Sequence, residues 1–172
     1  VLKPAETTSL TAMKLAELFQ EADFPPGVVN IVTGFGDAGA ALVEHPEVDK
    51  VAFTGSTEVG KRIQKAVAGT RKRYTLELGG KAAHVIFNDA AIDQSIEGII
   101  NGIFFNQGHV CCAGSRLFIQ EAVAEEVIHK LKQRMETLVL GDPLDKNTDI
   151  GAIHSAEQLE RIRVLVDAGV DE

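Results

Sequence analysis

Lys50-Val51-Ala52-Phe53-Thr54-Gly55-Ser56-Thr57-Glu58-Val59-Gly60 is the stretch whose reading decides the fold. Lys50 to Thr54 reads as a short strand and Gly55-Ser56 as a turn. Glu58 to Ala68 then reads as a helix with Val59, Ile63 and Val67 on one stripe. The same alternation continues outward. Upstream, Ser9 to Ala22 has Ala12, Leu15, Ala16 and Phe19 at helical spacing, with Thr8 or Ser9 as cap, and Pro25-Pro26-Gly27 ends it. Val28 to Val32 is expected as a buried strand, Gly34 to Gly39 as a glycine loop, and the next residues as a short helix to about Glu44, broken at His45-Pro46. Downstream, Tyr74–Leu78, Ala83–Phe87 and Leu117–Ile119 read as strands. Ile92–Phe105, Val123–Leu138 and Ala156–Ala168 read as amphipathic helices, the first with Ile96, Ile99, Ile100 and Ile103 apolar.

Such alternation predicts an α/β fold, a doubly wound, Rossmann-like parallel sheet with helices on both faces and its ligand site off the carboxyl ends of the strands. The glycine pair Gly79-Gly80 is the expected domain crossover, dividing 1–80 from 81–172. No internal repeat or low-complexity run interrupts this pattern.

At 172 residues, with 45% hydrophobic and 24% charged, the chain has enough apolar material for a globular core, which excludes disordered and fibrous classes. Its net charge of −8 argues against a nucleic-acid partner. Its apolar runs are far shorter than the roughly 20 residues of a membrane span. The only cysteines, Cys111 and Cys112, are adjacent and cannot staple distant segments, so a reducing, cytoplasmic setting is expected. No signal peptide is visible at the start.

Four constellations carry candidate chemistry. Gly34-x-Gly36-x-x-Gly39 has the spacing of a dinucleotide fingerprint, but the acidic residue that should follow at the next strand's tip is replaced by Phe53-Thr54-Gly55-Ser56. An ordinary tight turn is the alternative. Gly55-Ser56-Thr57 offers free backbone N–H groups, a positive helix end and hydroxyls to a phosphate. Simple capping by Ser56 or Thr57 is the alternative there. Asn106 to Arg116 is polar and glycine-flanked and carries both thiols; a nucleophilic Cys and two buried small hydrophobes are the competing readings. Glu77, among apolar strand residues before the glycine pair, fits a general base if burial raises its pKa, and a solvated strand-end carboxylate if not. His109 is a second possible base. No ligand set has metal spacing, so no metal is expected.

Together these segments closely resemble the aldehyde dehydrogenase superfamily, in its classical NAD(P)-dependent, non-phosphorylating branch. The match runs along essentially the whole chain. It is carried by Lys3-Pro4-Ala5-Glu6, Phe24-Pro25-Pro26-Gly27-Val28-Val29-Asn30, Phe53-Thr54-Gly55-Ser56-Thr57-Glu58-Val59-Gly60, Leu76-Glu77-Leu78-Gly79-Gly80-Lys81 and the Cys111 segment, in the family's order and spacing. The resemblance implies that 1–80 is the later part of an NAD-binding domain and 81–172 the first part of a catalytic domain. It implies Cys111 as nucleophile and Glu77 as general base. For the cofactor it implies that Lys3 and Glu6 hold the adenosine ribose hydroxyls, that the Gly34–Gly39 loop, with Gly36 and Gly39, lies toward adenine, that Gly55-Ser56 is the phosphate turn, and that Pro4, Ala5, Phe53, Thr54 and Gly60 are further cofactor-binding residues. Leu78 and Gly79 would line the nicotinamide pocket, and Gln158 and Arg161 would approach the cofactor. A carboxylate at Glu6 would repel a 2′-phosphate, so NAD is expected rather than NADP.

The implied reaction is oxidation of a small-molecule aldehyde to a carboxylic acid through a cysteine thiohemiacetal and thioester, with Glu77 activating water. A CoA-acylating relative and a non-catalytic relative of the same fold are the alternatives. His109 stands where many relatives have Gln, Val110 precedes the nucleophile, and the Gly36–Gly39 loop is one residue shorter than in some members. Family chains are several times longer than one domain, so the expected oxyanion Asn would lie upstream, and the nicotinamide-ribose Glu and the oligomerisation strand downstream. The parent is expected to be a homodimer or homotetramer.

Overall fold

The computed structural model describes residues 1–172, which form two compact units, Val1–Leu78 and Gly79–Glu172. In the first, α1 (Ser9–Glu21) and α2 (Gly36–Glu44) precede β1 (Lys50–Gly55), α3 (Thr57–Val67) and β2 (Arg73–Leu78). β1 and β2 are parallel neighbours, in register from Lys50 opposite Arg73 to Gly55 opposite Leu78. Parallel neighbours need a crossover, and α3 supplies it. Its Gly60, Ile63 and Val67 are buried at helical spacing, and it packs on both strands. That stripe removes apolar surface from water and fixes the helix start against the carboxyl ends of the strands.

The second unit repeats the plan. β3 (Ala83–Ile86) and β4 (Arg116–Ile119) are parallel, with α4 (Ile92–Phe104) between them and α5 (Glu121–Met135) and α6 (Ala156–Asp171) following. Ile86, Ile96, Ile99, Ile100 and Val127 form its core. At the rim, Lys130 bridges to Asp93 (2.6 Å) and Arg134 to Glu97 (2.7 Å), joining α5 to α4. After α5 the chain makes a polar loop closed at its base: Leu140 bridges Ile150, and Val139 N–H donates to Asp149 Oδ2 at 2.9 Å.

The α/β class and the parallel pairing stand as expected, and each pair is a two-stranded sheet. One element differs. Val28–Val32 is not a buried strand: Val28 is 61% exposed, a turn bond from Val28 N–H to the Pro25 carbonyl bends the chain, and only Ile31 forms a bridge, to Leu2. β-Branched residues favour strands through packing against paired neighbours, and here a single bridge supplies them. No helix is long and apolar enough to cross a membrane.

Candidate active site

In the first unit the parallel register does the assembling. It sets Phe53 beside Leu76, Thr54 beside Glu77 and Gly55 beside Leu78, at the carboxyl ends where α3 begins. Ser56 caps α3, its Oγ accepting from Val59 N–H at 3.2 Å. The capping reading of Ser56 therefore holds, and the N–H groups of Thr57 and Glu58, one and two residues into the helix, keep no intrahelical acceptor. They point a positive dipole end outward, so a capped turn still has N–H groups to offer an anion. Gly55 is under pressure from its own strand: a Cβ there would lie 2.5 Å from the Phe53 ring. Gly60 is equally constrained by Leu78, so the helix sits close on the strand end.

Lys3 and Glu6 form a second group. Lys3 Nζ donates to Glu6 Oε1 and to the Pro4 carbonyl, both at 3.0 Å. Lys3 is 16% exposed and Glu6 49%, so the carboxylate remains open to a ligand. Its own backbone hydrogen bond, and then Lys3, hold its pKa below the ordinary value and keep it charged. Lys3 also reaches toward α2, where a Cβ at Gly39 would meet its Cδ at 3.7 Å; a Cβ at Gly36 would meet nothing. The fingerprint spacing of Gly34, Gly36 and Gly39 thus opens a helix without the strand that should precede it.

The second unit holds the thiols. Ala113 N–H donates to the Val110 carbonyl at 3.0 Å, closing a tight turn with Cys111 and Cys112 at its two middle positions. Both are free and exposed, which decides against two buried hydrophobes. The Cys111 N–H has no hydrogen-bond partner. Downstream the turn is anchored by buried Ala113 and by Gly114 N–H, which donates to the Gly102 carbonyl of α4 at 3.1 Å. Gly80 passes close behind: a Cβ there would lie 3.3 Å from the Cys111 carbonyl.

Glu77 is exposed at the end of β2. His109 packs edge-on against His154, ring centroids 5.4 Å apart, and makes no hydrogen bond to either thiol. Gln158 lies in the first turn of α6, its N–H donating to the capping Ser155 Oγ, and Arg161 follows exposed on the same helix. Gly79 is exposed, and the Pro4 and Ala5 carbonyls accept from Lys3 Nζ at 3.0 Å and from Thr8 N–H at 3.1 Å.

Sequence reasoning passed over His84 and Gln107. His84 on β3 fills the space beside two glycines, its ring 2.7 Å from where a Cβ at Gly102 would stand and occupying the place of one at Gly114, and its Nε2 is buried without a partner. Gly102 and Gly114 in one sequence gave no sign of which ring they accommodate, because the contact joins a strand, a helix and a loop.

An aldehyde dehydrogenase from Davidiella tassiana is 50% identical over 99% of this chain and 35% of its own length. Retinal dehydrogenase 2 of Homo sapiens is 48% identical over all of this chain and 34% of its own. The structure of a Bacillus cereus aldehyde dehydrogenase in complex with NAD+ superposes with a TM-score of 0.94 at 45% identity, covering 99% of this chain and 35% of that one. The chain spans about a third of the length of the curated relatives it matches. The model of the aldehyde dehydrogenase family matches residues 1–172 from end to end, and a chain with these turns in this order belongs to that family.

Proposed function

We propose that the full-length protein oxidises an aldehyde to a carboxylic acid with NAD, Cys111 acting as nucleophile and Glu77 as base. The observation that carries this reading is the exposed Cys111 thiol at the middle of the Val110–Ala113 turn, with its own N–H unengaged. Relatives named as aldehyde and retinal dehydrogenases, and a neighbour solved with NAD+, support it.

The residues present fit NAD. The free N–H groups at the start of α3 suit a pyrophosphate, with Phe53, Thr54, Gly55, Ser56 and Gly60 shaping the turn. The charged, open Glu6 beside Lys3 suits two ribose hydroxyls and opposes a 2′-phosphate, favouring NAD over NADP. Gly36 and Gly39 flank the adenine side, while Leu78, Gly79, Gln158 and Arg161 serve the remainder of the cofactor. When bound, NAD supplies the acceptor for the two electrons and hydrogen that leave the aldehyde carbon.

Cys111 as thiolate attacks the carbonyl carbon, forming a C–S bond and an oxyanion. Its N–H is placed to donate to that oxygen as charge develops. After oxidation the acyl group remains on Cys111 as a thioester. Glu77 takes a proton from water, hydroxide adds to the thioester carbonyl, and the Cys111 thiolate leaves as the carboxylic acid departs.

The test is NADH formation with a panel of aldehydes in the full-length protein and in its Cys111→Ala and Cys112→Ala variants. Cys111→Ala is expected to abolish turnover while NAD still binds, and Cys112→Ala to retain it. Aldehyde oxidation undiminished in Cys111→Ala would overturn the reading.

A further inference from the structure

Just before the thiols, the chain takes a backbone course that its residues do not favour. Asn106 (φ 49°, ψ 44°), Gln107 (φ 55°, ψ 26°) and Gly108 (φ 74°) are consecutive left-handed residues. Glycine accepts this, but two adjacent non-glycine residues are disfavoured there and persist only where the surroundings hold them. Gly108 has a further constraint: a Cβ would lie 3.1 Å from the Ile103 carbonyl.

The Gln107 side chain supplies the hold. With its amide oriented so that both ends find partners, Nε2 donates to the Asn106 carbonyl (2.8 Å) and to Asn106 Oδ1 (3.0 Å), and Oε1 accepts from Gly151 N–H (3.2 Å). Gly151 directly follows the closed base of the polar loop, where Asp149 and Ile150 N–H both donate to the Val139 carbonyl at 2.9 and 3.1 Å. Its lack of a side chain is what admits the amide: a Cβ at 151 would stand 3.1 Å from the Gln107 amide and 3.4 Å from Pro143 Cβ. The edge-on pair of His109 and His154 joins the same two segments a second time.

We infer that Gln107, docked on Gly151, is a positioning residue for the Cys111 thiol: it holds the left-handed approach to the Val110–Ala113 turn from upstream as Gly114 and Gly102 hold it from downstream. The inference rests on Cys111 as the nucleophile for its kinetic consequence, but not for its effect on the thiol itself. A displaced turn moves the sulfur relative to everything it must meet, and misplacement on the ångström scale is costly in rate.

The experiment uses the full-length protein with Gln107→Leu, which removes every bond of the amide, Gln107→Glu, which keeps only the acceptor for Gly151, and Gly151→Ala, which crowds the dock from the other side. Three readouts are taken: kcat and KM, NAD affinity, and site-resolved alkylation of Cys111 by iodoacetamide read by mass spectrometry. The expected result for Gln107→Leu is a fall of about tenfold or more in kcat and in Cys111 alkylation rate, with KM for NAD and NAD affinity unchanged. Gln107→Glu is expected to fall between Gln107→Leu and the parent, and Gly151→Ala to reproduce the loss. Turnover and alkylation within about twofold of the parent in Gln107→Leu would overturn the inference. Loss of NAD binding together with alkylation in all three variants would overturn it too, showing a role in folding at large. If Cys111→Ala keeps its turnover, the proposed function fails by itself, while alkylation still decides the role of Gln107.

Discussion

Gly60 of α3 lies against Leu78, the last residue of β2, so closely that a Cβ at position 60 would fall 2.6 Å from Leu78 Cδ2 and 2.8 Å from Cδ1. The helix whose first turn offers free N–H groups is therefore seated on the strand end next to Glu77. Gly60→Ala in the full-length protein is expected to destabilise by about 1–3 kcal/mol through overpacking, and to weaken NAD binding because the start of α3 must shift. Thermal unfolding and calorimetric NAD titration check both. Adding Leu78→Ala should restore part of the lost stability, since the pair is coupled through one contact.

Much of this arrangement was legible in the sequence. The short apolar runs around Phe53, Leu76, Val85 and Phe118 became strands, and the helical stripes of Ile63 and Val67 and of Ile96, Ile99 and Ile100 became buried helix faces, while Val59, expected on the first stripe, is exposed at the start of its helix. Val28–Val32 misled because its residue types carry strand preference only where partners exist, and a single bridge to Leu2 does not supply them. The exposure of the thiols was legible only as one of two options, since small flanking residues are compatible with either. Gln107 and His84 could not be read at all: their roles depend on left-handed backbone angles and on glycines distant in sequence, which neither periodicity nor motif spacing encodes.

Glu6 is expected to act through its charge. Its folded pKa is depressed, by its own backbone hydrogen bond first and by Lys3 second, so its contribution to stability is present above the unfolded carboxylate pKa and lost as pH falls through the folded value. Glu6→Gln should therefore flatten the acid limb of stability by removing that contribution near neutrality while leaving stability at low pH unchanged, an effect that salt weakens because both groups face water. The same change should raise the NADP-to-NAD ratio of kcat/KM by about tenfold, by removing the repulsion toward a 2′-phosphate. An unchanged ratio would separate Glu6 from cofactor choice.

Ile100 is 3% exposed and sits in the core shared by α4, α5 and β3. Ile100→Ala is expected to cost about 2–5 kcal/mol, the transfer of the lost methyl groups plus the cavity they leave. Because α4 connects the two strands and its last residues run into the segment before Cys111, denaturant unfolding and Cys111 alkylation should be measured together. The expected outcome is a large fall in stability with thiol reactivity preserved in the folded fraction, the reverse of what Gln107→Leu should give.

Glu77 stands opposite Thr54 in the parallel register, at the strand end and exposed to water. Exposure suits a group that must meet a water molecule and release its proton afterwards, and it places no demand on earlier steps. Glu77→Gln keeps the shape of the side chain and removes its basicity. In rapid mixing with aldehyde and NAD, the variant should give a burst of NADH of one equivalent per Cys111, because thiol attack and oxidation proceed. The steady state that follows should be slower by about 10²–10⁴-fold, the usual worth of a general base. An acyl adduct on Cys111 should then be trapped by denaturation and seen by mass spectrometry. A missing burst would move Glu77 to a step before the thioester, and a steady state equal to the parent's would remove it from the mechanism.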